Sequence, residues 1–262
     1  MECGIEKKMI AEALGTFFLV FFGTGAAVMT LIIAHSVSPA ATIGTLGGFA
    51  DWLAIGLAFG LAGMVSIYIF GKISVAHMNP AVTLGLWISK NISGKDSVLY
   101  IIAQCIGAVL ASICLYIILG PQAITIGSLG ATVPAAGINY FQAMFVEFIG
   151  TFFLVLTVMG VAVDKKAEPA VGGFAIGMAI ATAIFLLGGI TGGCINPARG
   201  FGPYLIDFLL GGVNLWNYFP IYIIGPIVGG LLAGFIYQKI AEGTDVCDLP
   251  NQCCREKSGI PL

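Results

Sequence analysis

Asn-Pro-Ala occurs twice in this chain, at Asn79-Pro80-Ala81 and at Asn196-Pro197-Ala198. The tripeptide places a side-chain amide where a helix can begin. Asn is a favoured N-cap, and Pro suits the first helical position because its missing N–H would have no intrahelical partner. In a water-soluble chain that is an ordinary helix start. Here the apolar stretches that follow, Ala81 to Ile88 and Phe201 to Leu210, are each about ten residues, or about 15 Å of helix. A bilayer core is about 30 Å thick, so each helix reaches halfway across. Two half-spanning helices, one in each half of the sequence, predict a pore of inverted repeats whose broken helices meet near the midplane.

The chemistry of that meeting point follows from the residue types. Each half-helix aims the positive end of its dipole, roughly half an elementary charge, at the membrane centre. Two such ends repel cations. Asn79 and Asn196 each offer an amide donor, so a water passing both directs its lone pairs at them and turns its hydrogens away. A proton wire needs every water to accept from the same direction, and the imposed orientation interrupts it.

Long apolar helices are needed to position such loops, and the composition supplies them. The 262 residues are 58% hydrophobic and 9% charged, with a mean hydropathy of +1.01, against about a quarter charged in soluble domains. Six stretches are long enough to span: Met9 to Ala34, Trp52 to Phe70, Ser97 to Leu119, Phe141 to Val163, Val171 to Leu187 and Trp216 to Tyr237. The first is too long, and lacks a small-residue cleavage site, for a removable signal peptide.

Lys7 and Lys8 precede the first span, Lys72, Lys90 and Lys95 lie between the second and third, Lys165 and Lys166 between the fourth and fifth, and Lys239, Arg255 and Lys257 follow the sixth. All fall on one side. The loops from His35 to Asp51 and from Gly120 to Tyr140 carry no Lys or Arg, so both termini are expected in the cytoplasm of a cell in whose plasma membrane the chain resides. Arg199, directly after the second motif, is an isolated cation among apolar residues and invites a functional reading. With a net charge of −2 and no basic patch interleaved with aromatics, nucleic acid is not a partner. Cys105 and Cys114 fall in the third span, Cys194 in the second re-entrant loop, and Cys3, Cys247, Cys253 and Cys254 on the cytoplasmic side, where reduced thiols are the default. The tail cysteines lack standard zinc spacing and a prenylation box.

The first span contains Glu12 and Gly15-Thr16-Phe17-Phe18-Leu19-Val20; the fourth contains Glu147 and Gly150-Thr151-Phe152-Phe153-Leu154-Val155. The match is residue for residue. Each copy is followed by another span and then by its Asn-Pro-Ala, so the chain is two halves of three spans plus one half-helix. An odd number of spans per half forces the halves into opposite orientations. The first half-helix enters from the cytoplasm and the second from outside. Residues 1–262 are expected to form one transmembrane domain, with repeats over about 9–119 and 141–237 and a cytoplasmic tail at 238–262; Asp164 to Pro169 lies inside the second repeat rather than at a boundary.

To about Tyr237 the chain resembles the aquaporin (major intrinsic protein) family. It is most similar to archaeal-type members in Asp51-Trp52-Leu53-Ala54-Ile55-Gly56, His77-Met78-Asn79-Pro80-Ala81-Val82 and Asn196-Pro197-Ala198-Arg199-Gly200-Phe201-Gly202-Pro203-Tyr204. The resemblance implies an all-α, right-handed bundle of six transmembrane helices and two re-entrant half-helices, usually as a homotetramer with one pore per subunit. It also implies a second constriction on the outer side, carried here by Phe59, Ile184, Gly193 and Arg199. Arg199 would replace lost hydration for a passing solute and add a cation barrier, Phe59 would wall the opposite side and Gly193 would offer its carbonyl. Water-selective members have His where this chain has Ile184, which implies a wider, less polar constriction. Glycerol channels of the family place Asp after the motif's Arg and a basic residue four positions further on, where this chain has Gly200 and Tyr204. The expected function is a passive channel for water that also admits small neutral solutes such as glycerol and excludes protons and ions.

Glu12 and Glu147 are the only acids deep inside spans, and an intramembrane carboxylate is a functional candidate by default. In a proton-coupled secondary transporter they would titrate during turnover; in the family that the chain resembles, such acids brace the re-entrant loops. His77 is a candidate loop-organising residue of the same kind. Cys194 lies beside the pore-lining position. A glycerol-preferring facilitator and a closed junctional protein are further alternatives. No nucleophile, base and oxyanion donor assemble and no cofactor fingerprint is present, so an enzyme, a metal or a cofactor is not expected.

Overall fold

A computed structural model describes residues 4–241. Cys3, the tail from residue 242 and its Cys247, Cys253, Cys254, Arg255 and Lys257 lie outside the described residues. Among the described residues six helices are long and apolar enough to cross a membrane: α1 (Ile5–Val37), α2 (Phe49–Ser74), α4 (Gly94–Leu119), α6 (Tyr140–Val158, continued by a π-helical turn Met159–Val163), α7 (Pro169–Thr191) and α9 (Phe219–Ala241). Two short helices follow the motifs, α3 (Pro80–Ile88) and α8 (Pro197–Leu209). Helix alternation puts Lys72, Lys90, Lys95, Lys165 and Lys166 at one end of the bundle, hereafter the lysine-rich side. The opposite end, formed by 38–48, 120–139 and 210–218, is free of lysine.

The distribution of side chains is that of a protein solvated by lipid. Ile117 and Phe141 are each 72% exposed, whereas Glu12, Glu147 and Gln104 are fully buried. Apolar side chains gain nothing from leaving a hydrocarbon solvent, so the helices associate through close packing and internal hydrogen bonds. The crossing of α2 and α7 shows how. A Cβ on Gly60 would stand 2.4 Å from the Gly177 carbonyl oxygen, and one on Gly177 2.6 Å from that of Gly60. Only glycine allows this approach, and its reciprocity marks an axis relating the two halves.

The half-helices cross between the halves: α3 packs mainly against α9 and α8 mainly against α4. Each starts on its motif. Asn79 Oδ1 accepts from the Ala81 N–H at 2.9 Å, and Asn196 Oδ1 from those of Ala198 and Arg199 at 3.0 and 3.2 Å. The second half-helix begins at Pro197, ahead of the apolar run that begins at Phe201, because its first turn carries Arg199 and is polar. The segment from Gly120 to Tyr140, expected as a plain loop, contains α5 (Gln122–Thr125) and a 3₁₀ turn at Ser128–Gly130. Ser128, Leu129 and Gly130 all have positive φ there, and Leu129 is completely buried.

Candidate functional site

The loops ahead of the motifs have an unfavourable backbone. Val75, Ala76 and Met78 in the first, and Ile195 in the second, are non-glycine residues with φ between 44° and 70°, a conformation that costs roughly 1–2 kcal/mol per residue. Two buried carboxylates hold it in place. Glu12 Oε1 accepts from Ser74 Oγ at 2.7 Å and the His77 N–H at 2.8 Å; Oε2 accepts from the Met78 N–H at 2.7 Å and Gln104 Nε2 at 2.8 Å. Glu147 repeats the scheme, Oε1 accepting from Thr191 Oγ1 at 2.6 Å and the Cys194 N–H at 3.0 Å, Oε2 from the Ile195 N–H at 2.6 Å. Hydrogen bonds to a carboxylate are about twice as strong as neutral ones. They satisfy backbone donors that no helix can reach.

The two loops also grip each other. Asn79 Nδ2 donates to the Ile195 carbonyl at 2.8 Å, and Asn196 Nδ2 to the Met78 carbonyl at 2.9 Å. An amide nitrogen carries two hydrogens. With one fixed across the axis, each Asn keeps the other free, and both side chains border a narrow internal cavity of about 60 Å³. That cavity is lined by aliphatic residues, Leu19, Ile67, Val82, Leu154, Val158 and Ile180 among them. It meets a vestibule of about 490 Å³ on the lysine-free side at Arg199. On the lysine-rich side it meets one of about 450 Å³ at Ile67, Val75 and Ala162.

The residues named for the outer constriction come together at the first of these junctions. Arg199 is 3% exposed and donates from Nη1 to the Gly130 carbonyl at 2.8 Å. Its guanidinium carbon lies 5.0 Å from the centroid of the Phe59 ring, within cation–π range. Its Nε has no partner among the described residues. Gly193 abuts Ile184, since a Cβ there would stand 3.2 Å from the Ile184 Cα. Phe59, Ile184 and Arg199 border the cavity directly, whereas Gly193 lies against Ile184 outside that lining.

His77 lies in the first loop with Nδ1 3.2 Å from Thr83 Oγ1 and its ring edge-on to Tyr100 at 5.1 Å. Gln104 Nε2 joins Thr83 to Glu12. Cys194 borders the cavity, but its Sγ is directed at the Asn196 carbonyl at 3.2 Å. At the lysine-rich vestibule Asp164 accepts from the Lys166 N–H at 2.9 Å and the Tyr237 hydroxyl at 2.7 Å, and these bonds hold its carboxyl below the usual range.

Several parts of the site were not singled out from the sequence. Gly130 supplies the acceptor for Arg199 from a segment with no motif. Gly23 makes room for Phe59, whose ring stands 2.1 Å from where a Cβ would be. Tyr100 donates to the Ser74 carbonyl at 3.1 Å, the counterpart of the 2.8 Å bond from Tyr222 to the Thr191 carbonyl. Aligning the two halves is the signal that finds this last pair.

Paired half-helices, crossed asparagines and a cavity joining two vestibules define a membrane pore protein of the broken-helix type. The chain belongs to the major intrinsic protein family, whose model matches residues 2–237. It is 54% identical to "Aquaporin AqpM" of Methanothermobacter thermautotrophicus over 91% of this chain and 98% of that one. To "Probable aquaporin AqpM" of Archaeoglobus fulgidus it is 51% identical, over 92% and 100%. The crystal structure of the aquaglyceroporin from Plasmodium falciparum superposes with a TM-score of 0.76 at 27% identity, covering 90% of this chain and 97% of that one.

Proposed function

We propose that this protein is a passive transmembrane channel for water that also admits small neutral solutes such as glycerol and excludes protons and ions. The observation that carries the reading is the reciprocal pair of bonds from Asn79 to Ile195 and from Asn196 to Met78. These bonds lock one hydrogen of each amide and aim the other at the cavity, where two half-helix dipoles converge. A water there accepts from both amides and cannot relay a proton in either direction. Arg199 and Phe59 act as the charged and aromatic walls of a filter, with Ile184 and the Gly193 carbonyl opposite. Glycerol is admitted because Ile184 offers an apolar wall for its carbon frame.

The chain works as one transmembrane unit in the plasma membrane, with the lysine-rich side and both termini in the cytoplasm. It assembles as a homotetramer and carries out no catalysis. A detergent-solubilised particle with the mass of four chains supports the assembly, and any other mass contradicts it.

A proton-coupled transporter using Glu12 and Glu147 is disfavoured by the filling of both carboxylates with donors. A carboxylate that gave up its charge in turnover would release the loops it holds. The test is radiolabelled glycerol uptake into proteoliposomes under an imposed pH gradient. The channel reading expects equilibration to the outside concentration and no more, at a rate linear in concentration. Accumulation above that level, or saturation, would favour the transporter. A glycerol-preferring facilitator would show glycerol flux with little osmotic water flux.

A further inference from the structure

The two halves keep the same register well beyond the motifs. The loops share a backbone, with φ of 70°, 54° and 52° at Val75, Ala76 and Met78 and of 84°, 57° and 44° at Gly192, Gly193 and Ile195. Gly60 and Gly177 pair reciprocally in α2 and α7. In α1 and α6, Glu12 and Glu147 make equivalent bonds, and Leu19 and Leu154, each seven residues further on, both border the inner cavity.

With the register known, each residue at the Arg199 constriction has an image on the lysine-rich side. Arg199 corresponds to Val82, Gly193 to Ala76, Ile184 to Ile67 and Phe59 to Ile176. Gly23, which makes room for the Phe59 ring, corresponds to Val158. All five images border the inner cavity. One of them, Ile67, also borders the lysine-rich vestibule, as Arg199 borders the lysine-free one.

We propose that Ile67, Ala76, Val82, Val158 and Ile176 form a second specificity ring, uncharged, in which Val158 and Ile176 set the width. The proposal rests on the channel reading above. Ala76 has the backbone conformation of Gly193 and so offers a carbonyl acceptor in the same way. Val82 offers no donor where Arg199 offers a guanidinium. A solute in this ring therefore meets acceptors and an aliphatic wall, and is selected by fit rather than by charge. Val158 fills the space that Gly23 leaves open, so an aromatic ring at position 176 has no recess and lies across the lumen. In a fitted apolar site one methylene is worth about tenfold or more in discrimination. Water is too small to feel such a change strongly; glycerol is not.

The test is the ratio of glycerol to water permeability in proteoliposomes, a quantity independent of how much folded protein is reconstituted. Val158→Ala is expected to raise the ratio by roughly tenfold and Ile176→Phe to lower it by a similar factor. If Ile176→Phe does not assemble, Ile176→Met, which lengthens the side chain without a ring, carries the same sign. Ratios unchanged from the parent, with water flux intact, overturn the ring and leave the channel standing. A parent protein without water flux overturns the channel reading and removes the ring with it.

Discussion

Glu12 and Glu147 perform one task in two settings. Each accepts from a hydroxyl and from two consecutive backbone N–H groups ahead of an Asn-Pro-Ala. Around Glu12 the remaining space is polar, with Gln104, Thr83 and His77 in one hydrogen-bonded chain. Around Glu147 it is not. The positions matching Thr83 and His77 are Gly200 and Cys194, and Gln104, one turn beyond Tyr100, matches Pro226, one turn beyond Tyr222. Tyr204, Trp216, Phe219 and Tyr222 pack edge-on or tilted against one another there instead. The duplication is retained where a strained backbone must be held and has diverged where the surroundings of the lumen differ. Arg199 against Val82 is the sharpest divergence.

Removing a brace should have the largest effect. Glu147→Leu leaves two buried N–H groups unsatisfied, at roughly 1–3 kcal/mol each, and is expected to abolish assembled protein in size-exclusion chromatography. The isosteric change separates the two halves. In Glu12→Gln the Gln104 amide, whose Oε1 has no partner among the described residues, turns over and accepts from the new amide. Among the described residues no side-chain amide hydrogen-bonds to Glu147, so Glu147→Gln is expected to melt lower than Glu12→Gln. Equal melting temperatures would contradict the asymmetry.

Arg199→Val installs the residue that the first half has at Val82. It is expected to raise glycerol permeability by roughly tenfold while leaving cation exclusion to the half-helix dipoles, read as vesicle glycerol flux and ionic conductance. A steep rise in conductance would place the cation barrier at Arg199 instead. Ile184→His adds a donor and narrows the same constriction, so the ratio of glycerol to water flux should fall. The smallest effect is expected at the lysine-rich vestibule. Hydrogen bonds keep the Asp164 carboxyl below its unfolded value, so its contribution is present above the unfolded pKa and is lost as pH falls through the lowered folded one. Tyr237→Phe removes one of those bonds and should reduce the acid-dependent part of the melting shift without altering flux.

Much of this was legible in the sequence because membrane helices announce themselves by length and hydropathy, and the motifs by repetition. Glu12, Glu147, Asn79, Asn196 and Arg199 were identifiable as polar groups in apolar surroundings. Gly130 and Leu129 were not, since a buried 3₁₀ turn in an outer loop has no periodicity and its value lies in one carbonyl. Gly23 was indistinguishable from the packing glycines, because its role depends on a ring in another helix. The extent of α8 was underestimated because Arg199 reads as a break in an apolar run, whereas in three dimensions it is the first turn of the half-helix and borders the cavity.

The central claim is that two crossed asparagines conduct water and interrupt proton relay. Stopped-flow osmotic shrinkage of proteoliposomes carrying a pH-sensitive dye, under an inward proton gradient, tests both parts at once. The account predicts fast shrinkage of low activation energy with internal pH changing no faster than in protein-free vesicles. Shrinkage no faster than in those vesicles, or acidification that keeps pace with the water, would contradict it.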